Sequence, residues 1–235
     1  ELPQVFSILT NEKSGAIQRI LILGGAGVGK STLLQHIAYK WSKGRLWNDK
    51  FDYVYRVPLN ILLDKDWDSD YKAKKNETLK CLTHYQLVND LNEDLDIEDM
   101  PWKEEKTLLL LDGYDEVAHG RKNFMLQYIF EEIWQHKNII LTSRPNAMDK
   151  ETAEKFVKKI EHAGLGDDDV MNKLLKKFFE KDEAKMTALQ NYLEENPAIK
   201  DICHIPVNLT MLCLLWTVRD LSQISNISDL YQQFI

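Results

Sequence analysis

Apolar residues run in five short segments of the chain, and this pattern predicts β-strands. The segments are residues 19–23, 51–57, 107–111, 138–142 and 156–160. The third segment ends in four consecutive leucines, which is typical of a strand buried on both faces in a parallel sheet. Segments with apolar residues at helical spacing separate the strands. The order of elements therefore predicts an α/β fold with a five-stranded, mainly parallel sheet flanked by helices.

The pattern changes after Gly164, where apolar residues recur only at helical spacing. Asp167 is a favourable N-cap for the first of these helices, and Asn196, followed by proline, predicts the start of another. We therefore expect two domains, an α/β domain over residues 1–163 and a helical domain over residues 164–235 that the end of the sequence truncates.

A glycine-rich turn lies between the first predicted strand and the helix after it. Gly24, Gly29, Lys30 and Ser31 fit the phosphate-binding pattern G-x-x-x-x-G-K-[ST]. Glycines let the backbone curl so that its N–H groups face a phosphate, and the helix N-terminus adds further free N–H groups. A turn that only caps a helix is the alternative, but a buried strand before it and a helix after it favour a P-loop.

The P-loop pattern assigns roles to its residues. We expect the Lys30 ammonium to reach the β- and γ-phosphate oxygens and the Ser31 hydroxyl to bind Mg²⁺. The candidate nucleotide-binding residues of the loop are Gly24, Gly25, Ala26, Gly27, Val28, Gly29, Lys30, Ser31 and Thr32.

Further polar residues follow the third and fourth predicted strands. Asp112 lies where open α/β sheets bind ligands, so we expect it to hold Mg²⁺ opposite Ser31. Asp115 and Glu116 come next; either can polarise an attacking water, and Asp115 is the favoured one. Arg144 follows the fourth strand, and its guanidinium suits a γ-phosphate. The structural alternatives are an Asx-type turn after the third strand and an arginine that caps a turn.

The amino-acid composition limits the classes of partner that the chain is expected to bind. The net charge is −7, so the 235 residues carry no global basic signature for nucleic acid. Three cysteines without metal-type spacing indicate reduced thiols and a cytoplasmic protein, and no apolar stretch is long enough to span a membrane. The acidic run over residues 90–99 fits no Ca²⁺ loop and is interpreted as a solvated loop. Because the chain begins with Glu1 and stops inside a helical pattern, we expect a piece of a longer protein.

The motifs resemble those of the NACHT family of STAND P-loop NTPases, the nucleotide switches of NOD-like immune receptors and many bacterial proteins. GGAGVGKSTLL resembles the Walker A motif of that family, LLLLDGYDEV its Walker B motif and IILTSRP its sensor 1 segment. Residues 176–216 resemble the helical domain after the NTPase core. The family brings the proline of a G-x-P motif against the adenine, and the resemblance assigns this role to Pro206, with His204 in the place of the glycine.

The resemblance implies a switch that binds ATP or ADP and hydrolyses ATP slowly with Mg²⁺. Nucleotide state would control self-association and signalling of a larger protein of the immune, defence or effector type. The implied partners are an adenine nucleotide, further copies of the chain, and a trigger and an effector that act through flanking domains. A nucleotide-binding scaffold without significant hydrolysis is the alternative. A motor-type or kinase-type enzyme would need a basic face or a substrate pocket, and the sequence indicates neither.

Overall fold

The computed structural model describes residues 19–63, 78–91, 96–118, 124–218 and 226–234. The described residues do not include the start of the chain before residue 19 or residues 92–95 of the acidic run. They also do not include Asn76, where the sequence predicts the N-cap of a helix. The described residues form two compact units. One unit holds residues 19–24 and 30–161, and the other holds residues 25–29 and 162–234. We call them the sheet unit and the helical unit.

The sheet has five strands in the order β2-β3-β4-β1-β5, and the neighbouring strands are all parallel. The strands are β1 Ile20–Leu23, β2 Tyr53–Pro58, β3 Thr107–Asp112, β4 Ile139–Ser143 and β5 Lys158–Glu161. The predicted α/β fold is confirmed. β2 ends one residue later than predicted and includes Pro58, which pairs in register with Asp112. Proline is tolerated there because β2 lies at the edge of the sheet.

Helices and short 3₁₀ turns connect the strands. The helices are α1 Lys30–Ser42, α2 Thr78–Leu91, α3 Tyr114–Val117, α4 Phe124–Gln135 and α5 Lys150–Glu154. The 3₁₀ turns are Leu59–Leu63, Glu104–Lys106 and Pro145–Ala147.

The central strands β1, β3 and β4 are buried on both faces, since successive side chains of a strand point to opposite sides of the sheet. Leu108 and Leu110 of β3 pack with Leu34 of α1 in one apolar cluster. Leu109 and Leu111 belong to a second cluster that includes residues of α3 and α4. With both faces covered by apolar residues, the ends of the strands are left as the places for polar chemistry.

The helical unit has its own apolar core, which includes Leu175, Leu189 and Leu212. Its helices are α6 Asp168–Phe178, α7 Glu183–Glu195, α8 Pro197–Ile202, α9 Pro206–Val218 and α10 Ile227–Phe234. Asp167 caps α6 as predicted, since its carboxylate accepts a hydrogen bond from the Val170 N–H. Within the described part of the chain, no helix combines the length and apolar character needed to span a bilayer.

One predicted helix start differs in detail. α8 begins at Pro197 as expected, but the Asn196 side chain does not cap it. The Asn196 amide instead donates a hydrogen bond to the Tyr192 carbonyl at 2.8 Å, in the last turn of α7. The carbonyl groups at the end of one helix thus compete successfully for a side chain that the sequence assigns to the next helix.

Candidate functional site

The P-loop starts directly at the end of β1. The Gly24 N–H donates to the Ser143 carbonyl at 3.1 Å, which continues the pairing of β1 and β4 by one residue. Lys30 is the first residue of α1, and its Nζ donates to the Gly24 carbonyl at 2.8 Å. The lysine therefore folds back towards the start of the loop, at the carboxyl end of β1.

Several charged groups act on the Lys30 ammonium. Burial is the main cause that lowers the pKa of Lys30, and the Arg144 charge lowers it further. The carboxylates of Asp115, Asp112 and Glu116 act in the opposite direction, with Asp115 the strongest of the three. Burial disfavours a charged form, so an anion bound beside Lys30 would relieve this cost. The same group of side chains is the one that the sequence predicts to surround a phosphate.

The glycines of the loop apex adopt conformations that side chains disfavour. Gly27 has a φ of 72° and Gly29 a φ of 103°, both in the left-handed region. A Cβ added at Gly27 would also clash with Cγ1 of Val207, within the helical unit. Of the other loop residues, Val28 is buried and Gly25 and Ala26 are exposed.

Pro206 lies at the first position of α9, in the same unit as the loop apex. Its neighbour Val207 donates a backbone hydrogen bond to the Gly27 carbonyl at 3.4 Å. The structure therefore brings the predicted base-contacting proline close to the loop apex. Ser31 and Thr32 are exposed in the first turn of α1.

Asp112 ends β3 and is held in one orientation by its neighbours. The residue is only 8% exposed. Its Oδ1 accepts a hydrogen bond from the Thr142 hydroxyl at 2.7 Å, and that hydroxyl accepts one from the Gly113 N–H at 2.9 Å. Nη1 of Arg56 lies 3.8 Å from the other oxygen, Oδ2. A buried carboxylate requires such partners, because an unpaired charge away from water is costly.

The sequence interpretation missed Arg56 and Thr142. Arg56 is a charged residue in an aromatic and β-branched strand, and Thr142 is a hydroxyl near the end of an apolar one. Both are visible as polar exceptions to the strand pattern. Their link to Asp112 depends on which strands are neighbours, and the chain order does not reveal this.

Asp115 and Arg144 are joined by one ion-pair contact and one backbone hydrogen bond. Nε of Arg144 lies 2.8 Å from Oδ2 of Asp115, and the backbone N–H of Arg144 donates to Oδ1 at 3.1 Å. The Asp115 side chain is 11% exposed and that of Arg144 is 57% exposed. Gly113, with a φ of 82°, turns the chain from β3 into α3 and so presents Asp115 at this edge. Glu116 is exposed beside it.

The sheet topology explains why these side chains meet. β4 lies between β1 and β3, so Arg144 follows the strand that separates Lys30 from Asp112. The donor set suits a nucleotide with Mg²⁺, since it offers an ammonium, a hydroxyl and one oriented carboxylate. In the described residues no three His, Cys, Asp or Glu side chains group as a metal site, so a cation here would also need nucleotide and water oxygens.

Comparison with known proteins agrees with these motifs. The family model of the NACHT domain matches residues 18–182. The chain is 24% identical to mouse NACHT, LRR and PYD domains-containing protein 10, over 89% of this chain and 29% of that protein. It is 21% identical to human NACHT, LRR and PYD domains-containing protein 3, over 86% of this chain and 20% of that protein. The chain thus spans less than a third of the length of these relatives.

A solved structure resembles the fold. Domain III of the replication initiation protein DnaA from Thermotoga maritima has a TM-score of 0.53 and 16% identity, and the match covers 100% of this chain and 90% of that one. The family model extends over most of the chain, from before β1 into the helical unit. The resemblance expected from the Walker A, Walker B and sensor 1 segments is confirmed, and the chain belongs to the NACHT domain family of P-loop NTPases.

Proposed function

We propose that this chain is the nucleotide-binding part of a molecular switch that binds ATP or ADP and hydrolyses ATP slowly with Mg²⁺. The observation that carries the proposal is the convergence of Lys30, Asp112, Asp115 and Arg144 at the carboxyl edge of the sheet. In the larger protein, the bound nucleotide controls self-association and signalling, with the trigger and the effector in other domains.

In this proposal, the P-loop and the carboxyl ends of β1 and β3 bind different parts of the nucleotide and its Mg²⁺. The N–H groups of residues 24–32 surround the phosphates, and Lys30 leaves the Gly24 carbonyl to bind phosphate oxygens. Ser31 and Asp112 would hold Mg²⁺, which would supply positive charge beside the phosphates. Thr142 keeps the Asp112 carboxylate in the orientation that this role requires.

Asp115 orients the attacking water, and Glu116 is the second candidate for that role. The Arg144 guanidinium pairs with Oδ2 of Asp115, so a water reaches that oxygen only when the Arg144 side chain turns away. The γ-phosphate is a suitable destination for Arg144, because a guanidinium pairs well with phosphate oxygens. Arg144 thereby reports the presence of the γ-phosphate in the proposed switch.

We also propose that residues 1–163 are the NTPase core and residues 164–235 a helical domain. Separate apolar clusters in the sheet unit and the helical unit support this division. We further propose that Pro206 contacts the adenine. The hydrogen bond from its neighbour Val207 to the Gly27 carbonyl supports this role.

Binding of fluorescent ADP and steady-state ATP turnover, measured on the full chain, test the proposal. We expect Lys30→Ala to weaken ADP binding at least tenfold, since a charge-assisted hydrogen bond contributes about 1.5–3 kcal/mol. We expect Asp115→Ala to keep ADP binding and lose turnover. Lys103→Ala is the matched control, because Lys103 pairs with Asp52 at the opposite, amino end of β2 and β3. ADP binding that is unchanged by Lys30→Ala contradicts the proposal.

The second candidate function is a scaffold that holds nucleotide without chemistry. The ion pair of the Arg144 guanidinium with Oδ2 of Asp115 and the backbone N–H bond to Oδ1 favour it, because both oxygens already have a donor in place of a water. The scaffold predicts ADP binding that depends on Lys30 together with no turnover in the wild type. Wild-type turnover that Asp115→Ala abolishes excludes the scaffold.

A further inference from the structure

Arg56 lies on the outer strand β2 and reaches Asp112, the predicted Mg²⁺ ligand, on the neighbouring strand β3. Arg56 lies on β2 two residues before Pro58, and Pro58 is the register partner of Asp112. Side chains two residues apart on a strand share a face, so Arg56 and Asp112 lie on the same side of the sheet. The result is the 3.8 Å separation of Arg56 Nη1 from Asp112 Oδ2, while Thr142 binds Oδ1. One oxygen is therefore fixed by a hydroxyl and the other faces a guanidinium.

The guanidinium changes the electrostatics of this carboxylate. Arginine stays charged at any ordinary pH, so Arg56 compensates Asp112 permanently. The Arg56 side chain is 28% exposed and that of Asp112 is 10% exposed, so water screens the pair only in part. A divalent cation at Asp112 would meet a like charge at short range, and like charges in a partly buried setting repel strongly.

We infer that Arg56 is a positioning residue that sets the Mg²⁺ requirement of nucleotide binding. This inference rests on the proposed function. Arg56 satisfies Asp112 when Mg²⁺ is scarce, so ADP binds at Mg²⁺ concentrations too low to fill the cation site. Mg²⁺ binds only by competing with the guanidinium for Oδ2, which raises the Mg²⁺ concentration at which its effect is half complete.

The test is the affinity for fluorescent ADP, measured from excess EDTA to millimolar MgCl₂, with thermal unfolding under the same conditions as a second readout. We expect Arg56→Gln to lower the half-effective Mg²⁺ concentration about tenfold, because one like charge beside the cation is removed. Arg56→Lys keeps the charge and stays near the wild type. Arg45→Gln is the control, since Arg45 is an exposed residue after α1. Arg56→Met provides a second neutral variant of similar length if Arg56→Gln does not fold.

The outcomes separate this inference from the proposed function. A half-effective Mg²⁺ concentration that stays the same in Arg56→Gln and Arg56→Met, with ADP binding still dependent on Lys30, overturns the inference alone. An equal change in Arg56→Lys also overturns it, because charge is then not the cause. Absence of Lys30-dependent ADP binding in the wild type overturns both. A Mg²⁺-dependent rise in unfolding temperature that moves in parallel with the ADP data supports the inference.

Discussion

The carboxyl edge of the sheet and the interior of the helical unit differ in the kind of polar group that they bury and in the partners of that group. At the sheet edge, the buried carboxylate of Asp112 is bonded to Thr142 and faced by Arg56. In the helical unit, Asn208 is the buried polar residue among those described, and its amide bonds to the Ile202 carbonyl and the Tyr231 hydroxyl. The Asn208 contacts join neighbouring parts of the chain, whereas the edge contacts hold charged groups that a ligand can engage.

This difference indicates what each region is built for. Apart from Asn208, the described interior of the helical unit consists of apolar side chains and two thiols, so its stability comes mainly from packing. The sheet edge depends on polar pairs, whose net contribution is smaller and whose loss leaves buried groups unsatisfied. Substitutions that act on packing alone and on polar pairing alone should therefore separate the two regions.

Leu212→Ala should have the largest effect on stability. Leu212 is fully buried in the core of the helical unit. Removing its side chain should lower the free energy of unfolding of that unit by about 3 kcal/mol, the usual cost of a buried Leu→Ala cavity. Amide hydrogen exchange of α6 to α9 measures the loss locally.

The control for Leu212→Ala is Leu214→Ala on the same helix. Leu214 is 42% exposed, so its truncation should cost well under half as much. Equal losses of protection in the two variants would mean that packing does not dominate the helical interior. The described strands β1, β3 and β4 should keep their protection in both variants, because their side chains belong to separate clusters.

Alkaline pH should destabilise the helical interior before the sheet. Burial raises the pKa of the Cys203 and Cys213 thiols from 9.0 to about 12. Unfolded thiols lose their protons above pH 9 while the folded ones keep them, so the stability is intact below that pH and is lost as the pH rises towards 12. Between about pH 8 and 10, the two thiols together should cost about 2.5 kcal/mol.

The sheet unit offers an internal comparison for the pH effect. Burial raises the pKa of Tyr55 from 10.0 to about 12, so the same loss begins about one pH unit later there. Hydrogen exchange of α9 and of β2, measured from about pH 8 to 10.5, follows the two regions separately. In the variant with both Cys203→Ala and Cys213→Ala, the loss of α9 protection between about pH 8 and 10 should disappear. An unchanged pH dependence in that variant would show that the thiols are not its cause.

The parts of the fold that the sequence predicts are those with a local cause. Alternating and continuous apolar runs located all five strands to within two residues, and the P-loop spacing alone identified Lys30. The four leucines of β3 indicated burial on both faces, and the structure places them in two apolar clusters on opposite faces of the sheet.

The contacts that the sequence did not predict depend on strand order and on distant packing. Arg56 and Thr142 meet Asp112 because β2 and β4 flank β3, and no local pattern states which strands are neighbours. The sequence predicts a phosphate-binding role for Gly27, and in the structure its carbonyl also accepts the Val207 hydrogen bond. The sequence predicts that the Asn196 side chain caps the helix after it, but the side chain bonds the helix before it. Each of these contacts depends on a partner that only the folded chain supplies.

Thr142→Val should have a smaller effect than either the Leu212 cavity or the alkaline shift. It should lower the free energy of unfolding of the sheet unit by about 2 kcal/mol, because the Gly113 N–H and Asp112 Oδ1 lose their buried partner. Thr142→Ser keeps the hydroxyl and removes one methyl group, so it should cost about 1 kcal/mol or less. Urea unfolding of both variants compares them. A valine variant as stable as the wild type would show that polar pairing contributes nothing at this edge, and the carboxyl edge would then resemble the helical interior in what stabilises it.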